Sequence, residues 1–157
     1  MATSFKGAKG MTISGQGVYF TPGVDCILRI EKTHIFPARK GDMYIVEGVI
    51  VEGGNAEHPV GARRSWLQGL KDKDIAFRAV KAFCIAALGL SMKRSEDDKK
   101  IAQFEEECET VLEASAVENI FKGHTVRLET TNKPTRAGQD FTLHVWSPAD
   151  TWEKKAA

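Results

Sequence analysis

The chain has 157 residues, 42% of them apolar and 27% charged, with a formal net charge of +1. That length suits one domain with a substantial core, and the apolar share excludes a natively unstructured chain. Near-neutral charge excludes nucleic-acid binding by bulk electrostatics, so any such binding needs local cation clusters, and no run of about 18 apolar residues is present to span a membrane.

In chain order, residues 1–16 are small, polar and mildly basic, with Lys6 and Lys9 and no apolar run behind them. They read as a flexible arm rather than a secretory signal. Tyr19 and Phe20 follow, then a Pro22-Gly23 bend. The first strand is expected over Val24–Lys32, where Val24, Cys26, Leu28 and Ile30 alternate with Asp25, Arg29 and Glu31, Ile27 being the exception. His34 to Gly41 reads as a loop punctuated by Pro37 and Gly41, with Phe36 in it and Arg39 and Lys40 at its tip. A second strand, Met43–Glu52, is almost continuously apolar and so expected to be central, with Gly48 marking a bulge or sharp coil. After a Gly53–Pro59 loop, a third strand, Val60–Gln68, carries Arg63, Arg64 and Trp66.

A helix is expected over Asp72–Leu88, with a wide stripe formed by Ile75, Ala79, Phe83 and Ala86 and, beside it, Ala76, Val80, Cys84 and Ala87. Asp72 or Asp74 caps it and Gly89 stops it. A second helix is expected over Asp97–Ala116, with Ser95 and Asp98 spaced as a capping box. Its inner residues are Ile101, Phe104, Cys108, Val111, Leu112 and Ser115, and its outer face is acidic: Glu105, Glu106, Glu107, Glu109 and Glu113. Such a face is ordinarily solvated. Thr125–Thr131 and Phe141–Trp146 alternate as a closing hairpin. Phe141, Leu143 and Val145 share one of its faces, Thr142, His144 and Trp146 the other. Its turn segment, Asn132–Gly138, holds Lys133 and Arg136. The tail, 151–157, reads as frayed, and one domain is expected over 17–150.

Cys26, Cys84 and Cys108 are odd in number, far apart and each within an apolar periodic segment, which implies buried reduced thiols and a reducing, cytoplasmic compartment. No pair of Cys or His has metal-ligand spacing, so no metal site and no cofactor are expected.

The order β-β-β-α-(α)-β-β is that of an OB-fold, a mainly β five-stranded Greek-key barrel with a helix between strands three and four, here with an additional helix. Several segments then resemble phage-encoded OB-fold single-stranded DNA-binding proteins: Tyr44–Glu52, Val60–Trp66, the helix ending Ala86-Ala-Leu-Gly89, and the hairpin Gly123–Trp146 closing in Val145-Trp-Ser-Pro148. The resemblance implies a non-enzymatic protein that coats single strands in phage replication, recombination or repair, in the host cytoplasm. Its implied partners are single-stranded DNA and replication or recombination proteins, without a membrane. The chain departs from many replication binders in ending Trp152-Glu-Lys-Lys-Ala-Ala157, which is not acidic.

Single-strand binding needs cations along the phosphates and aromatic faces under the bases. On an OB map the cations are Lys32, Arg39 and Lys40 near the first loop, Arg63, Arg64 and Lys71 on or beyond strand three, and Lys133 and Arg136 in the last loop. The aromatics are Phe36, Tyr44, Trp66 and Trp146, each with a packing alternative: Tyr44, Trp66 and Trp146 as core or strand anchors, Phe36 folded back. His144 reads as a satisfied polar residue. The alternative function is an OB-like protein- or RNA-binding accessory module, for which the acidic helix is the motive. An enzyme is disfavoured: Gly15-Gln-Gly17 lacks the strand-turn-helix context of a phosphate loop, and no nucleophile elbow is present.

Overall fold

The computed structural model describes residues 19–39, 41–134 and 140–152. The expected arm, Lys40, Arg136 and the tail beyond Trp152 lie outside the described residues. The elements are β1 (Asp25–Ala38), β2 (Gly41–Gly53), β3 (Arg63–Gly69), α1 (Lys73–Ala87), α2 (Asp98–Glu106), α3 (Cys108–Val117), β4 (Thr125–Pro134) and β5 (Asp140–Pro148). The architecture is mainly β: among the described residues a five-stranded, antiparallel open sheet in the order β3-β2-β1-β4-β5 is joined by three α-helices.

Cys26, Leu28 and Ile30 point into the core, as their alternation requires. The β1–β2 register then shifts between Ile30 and Lys32, so Glu31 is extra and the inward series resumes at Thr33. Gly48 pairs with Ile30 at this bulge. A Cβ on Gly48 would lie 2.7 Å from the Arg29 carbonyl oxygen and from Leu28 Cγ, so only glycine permits the approach. The irregularity expected at Gly48 is therefore present, with the extra residue on β1.

β1 does not stop at Lys32. It continues to Ala38 through the segment expected as a loop, and β1 and β2 form one long hairpin. Pro37 pairs with Asp42 next to the turn, at a hairpin end, where a strand tolerates the missing N–H. β3 begins later than expected, at Arg63, because Pro59–Ala62 makes a turn: Ala62 N donates to Pro59 O (3.0 Å) and Gly61 N to Ile50 O (2.7 Å). Inside the preceding loop Gly54 has φ +83°, and any Cβ there would strike the His58 carbonyl.

α1 is capped by Asp72, whose carboxylate accepts from Ile75 N, and ends where Gly89 takes a positive φ. It buries Ala76, Val80 and Phe83–Ala87, while Ile75, expected on that stripe, faces solvent. The single second helix expected is two. The chain breaks at Glu107 (φ −107°, ψ 9°), between Glu105 and Glu109, whose like charges four residues apart weaken a continuous helix. The expected capping box does not form. Ser95 opens a short 3-10 turn, and the Asp97 carboxylate instead accepts from Ser91 N and Arg94 Nε, both at 2.9 Å.

α3 and the turn after it are pinned to β1 by polar contacts. Thr33 Oγ1 donates to the Ser115 carbonyl, Thr33 N donates to Asn119 Oδ1 (2.9 Å), and Asn119 Nδ2 donates to Glu31 O (3.2 Å). The core lies between the sheet and α1 and centres on Phe83, Tyr44, Trp66, Trp146 and Phe121. Trp66 on β3 and Trp146 on β5 pack edge to face with centroids 5.2 Å apart, so the sheet curls until its two edges meet through side chains. Among the described residues no helix is long and apolar enough to cross a membrane.

Candidate nucleic-acid interface

The β1–β2 hairpin has two unlike faces. On the inner side, Thr33 and Tyr44 dock onto α3. On the outer side the pairings set up rows across three strands: Phe36 beside Met43 beside Gly69, His34 beside Ile45 beside Leu67, and Lys32 beside Glu47 beside Ser65. Phe36 closes one corner of the face at the hairpin tip, and Tyr19, bridged in parallel to Ser65, closes the far side beyond β3; they are 44% and 43% exposed. Between them Met43, Ile45 and Leu67 are half-buried. Tyr19 also borders a shallow depression with Ser65, Trp66, Leu67 and His144.

Cations gather at the tip end. Arg39 is exposed in the β1–β2 turn, and Lys71, just past β3, lies against Gly41 of the same turn. Lys32 is exposed on the outer face. Arg39, Lys71, Lys32 and Lys133 form no ion pair with a carboxylate among the described residues. Arg63 is exposed on the same face but pairs with Glu31 at 2.6 Å, and Arg29 lies 3.9 Å from the same carboxylate. These two cations are partly neutralised in the free protein. At the other end of the sheet Lys133 and Phe141 are cross-strand partners, with Lys133 Nζ 5.8 Å from the ring centroid and the ring exposed.

Four residues expected at the interface are placed otherwise. Tyr44 and Trp66 are 2% and 5% exposed, so neither offers a ring face to a ligand. Tyr44 projects inward because its strand parity matches Val46 and Ile50, and its hydroxyl lies 2.8 Å from Ser115 Oγ. Since Ser115 Oγ donates to Leu112 O, the phenol is the donor in that pair, and burial holds it far above its ordinary pKa. Trp146 packs on Phe83, centroids 4.9 Å apart, and on Trp66, with its indole N–H unpartnered among the described residues. Arg64 is committed to the fold: Nε donates to His58 Nδ1 (2.8 Å), Nη2 to Glu57 O (3.0 Å) and Nη1 to Arg63 O (2.7 Å). His58 is fully buried; its Nε2 accepts from Thr21 N at 3.1 Å and lies 2.7 Å from Thr21 Oγ1. Burial, then the Arg64 charge, depress its pKa.

The structure brings Lys32, Phe36 and Arg63 to one side of the sheet, with Arg39 and Lys71 at its hairpin-tip end, and leaves Lys133 at the far hairpin; Lys40 and Arg136 lie outside the described residues. Sequence reasoning missed Tyr19, which reads as a lead-in to β1, and Phe141, which alternates like a core residue. It also missed the outward row Met43, Ile45 and Leu67, since the near-continuous apolarity of β2 hides which face is open. No cluster of three or more metal-ligating side chains exists among the described residues. No protein-family model matches the chain, and no curated protein matches it.

Proposed function

We propose that this chain is a non-enzymatic binder of single-stranded DNA, and that its curled sheet is an OB-type Greek-key barrel. The neighbour order supports the fold reading: β1, β2 and β3 are consecutive hairpin partners, and β4 returns through a long helical connection to lie beside β1. The observation that carries the function is Phe36, an exposed aromatic at the tip of the β1–β2 hairpin, flanked by Arg39 and Lys71 and continuous with an outer face ending at Tyr19. Stacking platforms at the ends of the face and cations along its border are the two parts that sequence-tolerant single-strand binding requires. Coating of single strands during phage replication, recombination or repair is the role the family resemblance assigns to such a surface.

Titration of fluorescein-labelled oligo-dT, a duplex of equal length and oligo-U tests this at two salt concentrations. Tighter binding of oligo-dT than of duplex, weakening as salt rises, is expected. Preference for oligo-U would transfer the face to RNA, and absence of binding to all three at micromolar protein and low salt would remove the reading.

A further inference from the structure

We infer that the groove between α1, α3 and the inner side of the β1–β2 hairpin docks a basic peptide segment of a partner protein, anchored by apolar side chains. The groove encloses about 400 Å³, a volume typical of sites that take up ligand side chains. Its walls are Ile35, Leu70, Phe77 and Leu112, with Cys108 at the α3 end. Ile35 and Phe77 are exposed, although each sits beside core residues, Tyr44 and Val80 respectively. Large apolar side chains left open around one concavity, rather than scattered, mark an interaction surface.

Charge specifies the occupant. Glu109 and Glu113 line the groove one helical turn apart and form no ion pair among the described residues. The cation lining it, Lys81, is neutralised by Glu105, with Nζ donating to Oε1 at 2.6 Å. A second shallow depression continues along α3 past the same two glutamates to Val117 and Glu118. The surface is therefore an apolar trough with an acidic ridge, elongated along a helix. It fits a segment with apolar anchors at helical spacing and Lys or Arg between them. The trough lies on the opposite side of the hairpin from Phe36, so a partner held here leaves the proposed DNA face open. The inference does not depend on that face binding DNA.

The test uses the full-length chain and two labelled synthetic helical peptides with the same Leu/Phe anchors, one with Lys and one with Glu at the intervening positions. Binding is read by anisotropy and by maleimide labelling of Cys108, since Cys26 and Cys84 are wholly buried. The Lys peptide is expected to bind about tenfold or more tighter than the Glu peptide and to slow Cys108 labelling. The exposed-site variants Glu109→Lys/Glu113→Lys and, separately, Phe77→Ser should abolish or weaken both effects. The control Glu52→Lys/Glu96→Lys should change neither. Equal loss in that control, or binding without protection of Cys108, would overturn the proposal. Tighter binding by Lys6→Glu/Lys9→Glu would give the groove to the chain's own N-terminal segment. Self-association lost in Glu109→Lys/Glu113→Lys would give it to a second copy. Either result replaces the partner peptide.

Discussion

The indole rings of Trp66 and Trp146 meet edge to face, 5.2 Å apart and inclined by 67°, across the gap between the two edge strands of the sheet. Both rings also pack on Phe83 of α1, so one aromatic triangle fastens β3, β5 and the helix together. Trp66→Ala should cost about 3–5 kcal/mol in urea unfolding, the range for deleting a buried aromatic. Trp66→Phe should cost less and leave oligo-dT affinity unchanged, because the indole presents no face to the outer surface. Anisotropy on the folded Trp66→Phe protein separates a core role from a stacking role.

Arg39 and Arg64 should separate in the same way. Arg64→Ala leaves the buried His58 Nδ1 and the Glu57 carbonyl without their donor, at a cost of about 1–3 kcal/mol in stability, with little change in DNA affinity. Arg39→Ala should leave stability unchanged, weaken oligo-dT binding and lower the salt slope by about one unit. Urea titration and salt-dependent anisotropy on both variants check the pair.

Acid should destabilise the fold through His144. Burial among Phe20, Trp66 and Trp146 lowers its pKa from 6.5 to about 4, the Thr142 backbone contact opposing only in part. The unfolded chain takes up its proton as pH falls through 6.5, the folded chain only near 4, so the unfolded state binds more protons between these values. Stability is therefore full above that window and falls through it, by about 2 kcal/mol at pH 5 from this residue. Burial lowers His58 and His34 as well, adding loss of the same sign. His144→Phe should remove about 2 kcal/mol of the difference between urea unfolding at pH 7.5 and at pH 5. An unchanged difference would exclude His144 as its source.

The three cysteines should react unequally. Burial pushes the Cys26 and Cys84 thiols up to about 12, and both are inaccessible, whereas Cys108 is half-buried on the α3 surface. Mass spectrometry after maleimide treatment under native conditions should find Cys108 modified first, with Cys26 and Cys84 reacting only on unfolding.

The strands and α1 were legible because alternation and helical spacing record which side chains the core takes. Cys26, Leu28 and Ile30 did so for β1, and Ala76, Val80 and Phe83 for α1. The rest was hidden for physical reasons. Pro37 and Gly41 read as loop punctuation, yet the β1–β2 hairpin extends past the core, where the adjacent Ile35 and Phe36 are both exposed and leave no alternation to read. In β5, alternation separates two faces and the more apolar one reads as the core face, yet the tertiary fold turns His144 and Trp146 inward and leaves Phe141, Leu143 and Val145 exposed. Trp66 and Tyr44 belong by residue type to either core or stacking surface; strand parity within the curled sheet decided for the core. Arg64 looked like a free cation because its acceptors, His58 and Glu57, come from a loop whose return path no local pattern reveals.

Oligo-dT affinity of Phe36→Ala/Tyr19→Ala, measured beside wild type by anisotropy at low salt, tests the central claim most directly. Each exposed ring that stacks a base contributes about 1–3 kcal/mol, so the double variant should bind at least ~25-fold more weakly, with unchanged urea stability and a nearly unchanged salt slope. Wild-type affinity in the folded double variant would contradict the account and take the outer face of β1, β2 and β3 out of consideration as the DNA surface.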